Sequence, residues 1–473
     1  MTSIQAVGSR NAANGVSQRR AAWRSGAARW LRWFERPCTA IRFGVVALAI
    51  FILPGPVAAA GTTLPGVTEL RMPPEAVTDS ELTRLLGTAL ASADVIAIGE
   101  TVHGSAGMLR VQDRLIRHLV TKHGVRLVVW ENPTLRSLEL ADWVRSCTKR
   151  RTPPPLAVLY MPTGADRPLW EWICEFNARR PDDPIVFRGM DVWDRPWEHY
   201  RRIRALVALI GIEPAHAQRI DAVCPAASIE SWDEMQKVFA ELAANGSFLP
   251  ETQFPTCRSL LTTLLEQAQR MGATATQPDT RDAAFELALS ASTLAGWLGF
   301  YHHQWSHDVL GWNERDRAQG RNLLLLMAKH RAARAILAAH TSHVSHNRSP
   351  ADWWGYGDLK SGVHFFTALS GKKVFTIALT AYSASGTQGE WSYPTARNSM
   401  DKTLHDAGHV FSFFTSRAGF FDAHPKWWMQ NGNYPGRYES GVEIVPRDHF
   451  DAYFFLDDSH LDRALPQRPM WEP

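Results

Sequence analysis

Two kinds of apolar spacing alternate along the chain. Short unbroken runs occur at Val95–Ile98, Leu127–Trp130, Ile185–Phe187, Ala335–Ala339 and Val374–Leu379. Runs this short, rich in β-branched residues and bounded by polar or glycine positions, read as strands buried on both faces. Between them the spacing is helical. Thr78-Asp79-Ser80-Glu81 is a capping sequence ahead of Leu82, Leu85, Leu86 and Leu90. Met108, Val111, Leu115, Ile116 and Leu119 share one face of a helix expected from Ser105 to Lys122, with Gly124 as its stop. Further helices are expected over Leu135–Cys147 and Leu169–Arg179. This alternation predicts an α/β fold with a mostly parallel central sheet flanked by helices.

From about Trp193 to Leu289 no strand pattern is visible, and a mostly helical insertion is expected there. The helical spacing continues over Asp282–His307 and Trp312–His330. The tail from Pro394 is aromatic-rich and weakly patterned, with Phe454–Leu456 read as an edge strand. No internal repeat, low-complexity tract or glycine-rich phosphate loop is present. The expected organisation is an N-terminal signal or anchor over 1–60, a first part of the α/β core over 61–192, the helical insertion over 193–290, and a second core part with a C-terminal tail over 291–473.

Charge changes this picture only at the front. The net charge is +4, but Arg10, Arg19, Arg20, Arg24, Arg29, Arg32, Arg36 and Arg42 are opposed there by Glu35 alone. The remainder is near neutral, so the sequence does not point to nucleic acid as a partner. Phe43–Leu53 is an apolar core after these arginines. Pro54-Gly55-Pro56 breaks it, and Val57-Ala58-Ala59-Ala60 supplies small residues for cleavage. The pattern is that of an export signal, giving a periplasmic or secreted protein with no stable membrane association unless the segment stays uncleaved. Cleavage near Ala60 removes Cys38 and leaves Cys147, Cys174, Cys224 and Cys257. An exported chain permits two disulfides, and sequence proximity favours Cys147–Cys174 and Cys224–Cys257 over the other connectivities; four free thiols are the alternative.

The strand ends carry the candidate chemistry. Ile98 runs into Gly99-Glu100-Thr101-Val102-His103-Gly104, Trp130 into Glu131, Phe187 into Arg188-Gly189-Met190-Asp191, and Ala339 into His340-Thr341-Ser342-His343. In a parallel sheet these ends lie on one side, where ligands and reacting groups collect. Gly99 and Gly104 are expected to let the backbone turn sharply. His103 is the candidate general base, since histidine titrates near neutral pH and a carboxylate can orient it. Either Glu100 or Glu131 is available for that role. His340 and His343 suit either a second acid/base pair, a Zn²⁺ site completed by Glu100 or Glu131, or a polar loop of exposed histidines. Asp191 reads as a site residue or a helix cap, and Arg315-Asp316, with Asn322 beyond, as a substrate clamp or a surface charge cluster. The absence of Gly-x-Ser-x-Gly and of His-Glu-x-x-His disfavours the common serine hydrolases and zinc proteases.

Taken in order, these segments resemble the erythromycin esterase family. The resemblance rests on Gly99–Gly104, on Glu131 after the next strand, on Gly189-Met190-Asp191, on Arg315-Asp316 with Asn322, on His340–His343, and on Gly362 and His364. It implies an α/β core and water-mediated hydrolysis, with His103 as general base and Glu131 and His340 as supporting catalytic groups; Glu100 stays a catalytic candidate from its place beside His103. Asp191, Arg315, His343 and Arg114 are the candidate substrate-binding residues. The expected substrate is a small carboxylic ester, a macrolide lactone among the candidates, as in antibiotic resistance. No cofactor is expected to be required, and a divalent metal is left open. The alternative is a metal- or haem-binding protein on the same scaffold. Two departures from the family pattern stand out: Thr341 follows the first histidine where Asn is usual, and Gln112 takes the place of a helix arginine, between Arg110 and Arg114.

Overall fold

The structure is a computed structural model. It describes residues 63–147, 152–212, 214–224, 229, 231, 233–237, 253–304, 308–351, 359–386, 389–392, 399–423, 426–429, 442–462 and 465. The expected signal segment and Cys38 lie outside the described residues.

In chain order the sheet strands are β1 (Val67–Glu69), β2 (Val95–Glu100), β3 (Leu127–Pro133), β4 (Val186–Asp191), β5 (Ala335–His340), β6 (Val374–Gly386), β7 (Gly389–Ser392) and β8 (Phe411–Thr415). A separate pair, β9 (Trp427–Met429) and β10 (Val442–Ile444), follows, and β11 (Ala452–Ser459) returns to the main sheet. Among the described residues the main sheet runs β1-β8-β11-β6-β2-β5-β3-β4, with β7 paired to β6. The stretch from β11 to β4 is parallel throughout, and β8 is antiparallel to β11. The fold is therefore the mostly parallel α/β sheet expected.

Helices cover both faces. On one side are α1 (Asp79–Leu86), α2 (Ala106–His123), α3 (Leu138–Ser146) and α4 (Arg167–Arg179). The chain between β4 and β5 supplies α5 (Pro196–Ile210), α6 (Pro214–Val223), α7 (Gln253–Thr274), α8 (Pro278–Gln304) and α9 (Asp308–Lys329), and α10 (Gly362–Ser370) joins them on the other side. Side-chain alternation in the strands serves both layers. Ile96 and Ile98 of β2, with Val128, Ile336 and Ile377, pack under α1–α4. Val95 and Ala97, with Val129, Leu337 and Ala378, pack under α5–α10. This two-sided burial is why β2 is buried along its whole length. Pro278–His303 is long and apolar enough to cross a membrane, yet 94% of its apolar window is buried inside the molecule.

Local signals explain the ends of these elements. Thr78 and Glu81 form the capping box of α1, and Gly124 closes α2 in the left-handed conformation. Gly104 has φ +74°, a value that favours glycine. Gly99 does not turn; it lies inside β2, and a Cβ there would collide with Val344 and Thr341 of the turn that follows β5. Phe454–Leu456 is not at an edge. It belongs to β11, which is paired on both sides, with β6 and β8. Cys147 is bonded to Cys174 and Cys224 to Cys257. The first links the end of α3 to α4, and the second joins the end of α6 to α7.

Candidate functional site

Four neighbouring parallel strands end together in the order β2, β5, β3, β4, bringing up Glu100, His340, Glu131 and Asp191 side by side. Glu100 and His340 are direct register partners. From the helical layer, α9 lays Arg315, Asp316 and Gln319 across these ends, and the turn Thr341–Val344 adds His343.

His103 is bonded to Glu100 and not to Glu131: its Nδ1 donates to Glu100 Oε1 at 2.8 Å. Both side chains are only 11% exposed, so the bond is sheltered from solvent. Among the described residues Nε2 of His103 has no hydrogen-bond partner. Burial alone would lower the His103 pKa, but the Glu100 hydrogen bond and the Glu131 carboxylate outweigh it and raise it above the ordinary histidine value. Burial raises Glu100, with the His103 bond opposing. The pair therefore holds one proton on the Nδ1 side and presents Nε2 as the basic atom.

Glu131 is the electrostatic hub. Its Oε2 accepts from the His340 backbone N–H at 2.7 Å, and its Oε1 accepts from Arg315 Nη2 at 2.8 Å. Burial would raise its pKa, but His343, His103 and Arg315 hold it well below the usual carboxylate range. Arg315 also forks onto Asp191, with Nε to Oδ1 at 3.0 Å and Nη2 to Oδ2 at 2.6 Å. Gln319 donates to the same Asp191 Oδ1 at 3.1 Å. Burial disfavours the Arg315 charge, yet the carboxylates more than offset it, so the guanidinium stays charged.

His343 bonds Asp316 Oδ1 through Nδ1 at 2.7 Å, while its Nε2 lies 3.1 Å from Glu131 Oε1. Burial opposes its protonation, but Asp316 and Glu131 raise its pKa to about 9. It is thus an imidazolium at neutral pH. Arg315 Nη1, 2.9 Å from the same Nε2, is itself a donor, so that approach is a hydrogen bond only when His343 is neutral. His340 is the opposite case. Burial and the neighbouring His103 push it well below 6.5, so it is neutral. Its Nδ1 accepts from the Ser342 backbone N–H at 3.2 Å, which places the proton on Nε2, aimed at Thr101 O at 3.2 Å. The His340 ring lies 5.1 Å from that of His103.

The structure thus gathers seven of the eight residues singled out in the sequence: Glu100, His103, Glu131, Asp191, Arg315, His340 and His343. Arg114 stands apart. Its Nε donates to Val77 O and its Nη2 to Asp79, both at 2.6 Å, so it ties α2 to the N-terminal segment. Helical periodicity gave its face but not what that face meets. The Arg315-Asp316 segment is no surface cluster, being 2% and 0% exposed. Sequence reading passed over three contributors: Asp316 as the partner of His343, Gln319, and Trp193, whose ring centroid lies 4.2 Å from the Arg315 guanidinium. Tyr160 is a fourth, with its ring 5.3 Å from His103. A hollow of about 1100 Å³ opens elsewhere, near the amino ends of β6 and β11, and shares no residue with this site. Among the described residues no three His, Cys, Asp or Glu side chains are arranged to hold a metal ion. The Glu131 oxygens already accept from a guanidinium and a backbone N–H.

No curated protein sequence matches the chain. Solved structures do. A Bacillus cereus protein superposes with a TM-score of 0.66 at 16% identity, covering 85% of this chain and 97% of that one. A succinoglycan biosynthesis protein gives 0.62 at 14% identity, with 85% and 96% covered. A histidine-to-asparagine variant of the erythromycin esterase EreC, in its open conformation, gives 0.60 at 16% identity, with 85% and 100% covered. At these identities the similarity is one of fold. The sequence profile of the erythromycin esterase family matches residues 120–459, a stretch that begins after Gly99–Gly104 and takes in Glu131, Asp191, Arg315, His340 and His343. The chain is accordingly a hydrolase of the erythromycin esterase family.

Proposed function

We propose that the protein cleaves a carboxylic ester with water activated at His103. The observation that carries this reading is the sheltered 2.8 Å bond between His103 and Glu100 at the shared ends of the parallel strands. Glu100 fixes the tautomer, so that Nε2 takes a proton from water as the water oxygen bonds to the ester carbonyl carbon. The proton then passes from His103 to the departing alkoxide as the carbon–oxygen bond breaks, giving an acid and an alcohol. Glu131 stabilises the imidazolium formed in between, through the field it exerts on His103.

His340 and Arg315 act differently from the sequence expectation. Both direct their donors to protein atoms, namely Thr101 O, Asp191 and Glu131. They are positioning residues that fix Glu131 and the floor beneath His103. Asp191 and His343 likewise hold Arg315 and Glu131. No metal enters this scheme. Export completes the proposal, with a mature chain beginning near Gly61; two disulfides are in keeping with an oxidising compartment.

The test is a panel of small esters and lactones, a macrolide included, assayed by acid release with and without a chelator. Chelator-resistant hydrolysis of at least one ester is expected. Failure on every ester, with a metal or haem retained stoichiometrically through dialysis, would overturn the reading in favour of a binding protein.

A further inference from the structure

Beside His103 the site carries an aromatic wall that the hydrolytic chemistry does not use. Tyr160 stands edge-on to His103, with ring centroids 5.3 Å apart and planes at 85°. Trp193 follows at 6.0 Å from Tyr160, and behind it come Phe300 at 5.8 Å and Trp312 at 5.9 Å. Phe300 and Trp312 are buried, whereas Tyr160 and Trp193 keep part of their surface open. The wall is fixed to the catalytic strands. Trp193 lies two residues beyond Asp191 at the end of β4. The Tyr160 backbone N–H donates to Asn132 Oδ1 at 2.8 Å, and Asn132 Nδ2 donates to Val158 O at 3.2 Å. Asn132 is the neighbour of Glu131 on β3, so the loop bearing Tyr160 is indexed to the reacting centre.

We propose, resting on the ester-hydrolase reading above, that this wall binds the ring of an electron-rich aromatic or aryl-conjugated acyl group, making esters of such acids the substrate class. An acyl group bound beside His103 meets Tyr160 first, its ring 5.3 Å away, with Trp193 next along the wall. The rings supply area at little entropic cost. The Arg315 guanidinium at 4.2 Å from the Trp193 ring draws electron density from it, so a partner ring rich in electrons stacks better there than a poor one. The indole Nε1–H of Trp193 is sheltered from solvent and has no partner among the described residues.

Methyl 4-methoxycinnamate, methyl 4-nitrocinnamate and methyl 3-(4-methoxycyclohexyl)acrylate are close to one another in length and differ in the ring. The expected result is a kcat/KM for the methoxy ester at least about tenfold above the other two, expressed mainly in KM. Trp193→Leu and Tyr160→Leu should each erase most of that preference, read as the ratio of kcat/KM between the methoxy ester and the other two within each variant, and Trp193→Phe should keep it. Should Trp193→Leu fail to fold, Tyr160→Leu, on a part-open loop residue, reads the same ratio. Equal kcat/KM on the three esters, or a preference unchanged in both leucine variants, overturns the proposal and leaves the esterase reading standing. Absence of cleavage on every ester, methyl acetate included, removes the reading on which the proposal rests, and the proposal with it.

Discussion

Replacing Glu100 by Gln tests how the site sets the basicity of His103. The 2.8 Å bond to a carboxylate is charge-assisted, and both side chains are 11% exposed, so screening by salt is small. A hydrogen bond to a charged group contributes about 1.5–3 kcal/mol. At about 1.4 kcal/mol per pKa unit, its loss lowers the His103 pKa by about 1–2 units. His103 works as a base when neutral, so kcat/KM rises with pH along a limb whose midpoint lies above 6.5 in the native protein. In Glu100→Gln that limb moves about 1–2 units toward acid, and the alkaline plateau falls because the weaker base accepts a proton less readily. Stability carries the same signature with a definite sign. A raised folded-state histidine pKa contributes stability that is fully present below 6.5 and lost as pH rises through the folded value. The melting-temperature deficit of Glu100→Gln is therefore larger at pH 6 than at pH 9. The buried carboxylate itself reinforces this, since burial penalises its ionised form at high pH. An acid limb that stays in place in Glu100→Gln, with the fold intact, refutes the assignment of Glu100 as the partner that tunes His103.

Two further substitutions probe the supports. Arg315→Met takes from the buried Glu131 and Asp191 the cation that they share, leaving them His343, Gln319 and backbone N–H donors, and costs about 3–5 kcal/mol in urea unfolding; a loss under about 1 kcal/mol shows that those remaining donors suffice. Gly386→Ala places a Cβ against the carbonyl oxygen of His103, so the His103 backbone must shift. A displacement of about 1 Å lowers kcat about 10²-fold with a small change in melting temperature, and unchanged kcat shows that the backbone there gives way without moving the ring.

Much of this arrangement was visible in the chain before folding. The unbroken runs at Val95, Leu127 and Ala335 can only be buried on both faces, and each ends in a residue that no core would keep unpaired. Parallel pairing then brings Glu100, His340 and Glu131 together without further information. Three things were not visible, for physical reasons. Strand position within a sheet is a property of neighbours, so Phe454–Leu456, bounded by Asp457 and Asp458, looked peripheral although β11 is paired on both sides. The second half of β6, Ala381–Gly386, has small and polar residues in place of an apolar run and gave no strand signal. A charged helix segment reads the same whether it faces solvent or a buried carboxylate, which left Arg315-Asp316 ambiguous and hid the pairing of Asp316 with His343. The same blindness misplaced Arg114, which serves Val77 and Asp79 on the outside of α2.

The central claim is that His103 activates water. The most direct measurement is kcat of His103→Ala on an ester the native protein cleaves, with the melting temperature measured alongside. The account predicts a fall of about 10²–10⁴-fold in kcat in a protein that stays folded, with a melting-temperature deficit no larger than the loss of the single bond to Glu100 accounts for. A folded His103→Ala protein that retains nearly full kcat contradicts it.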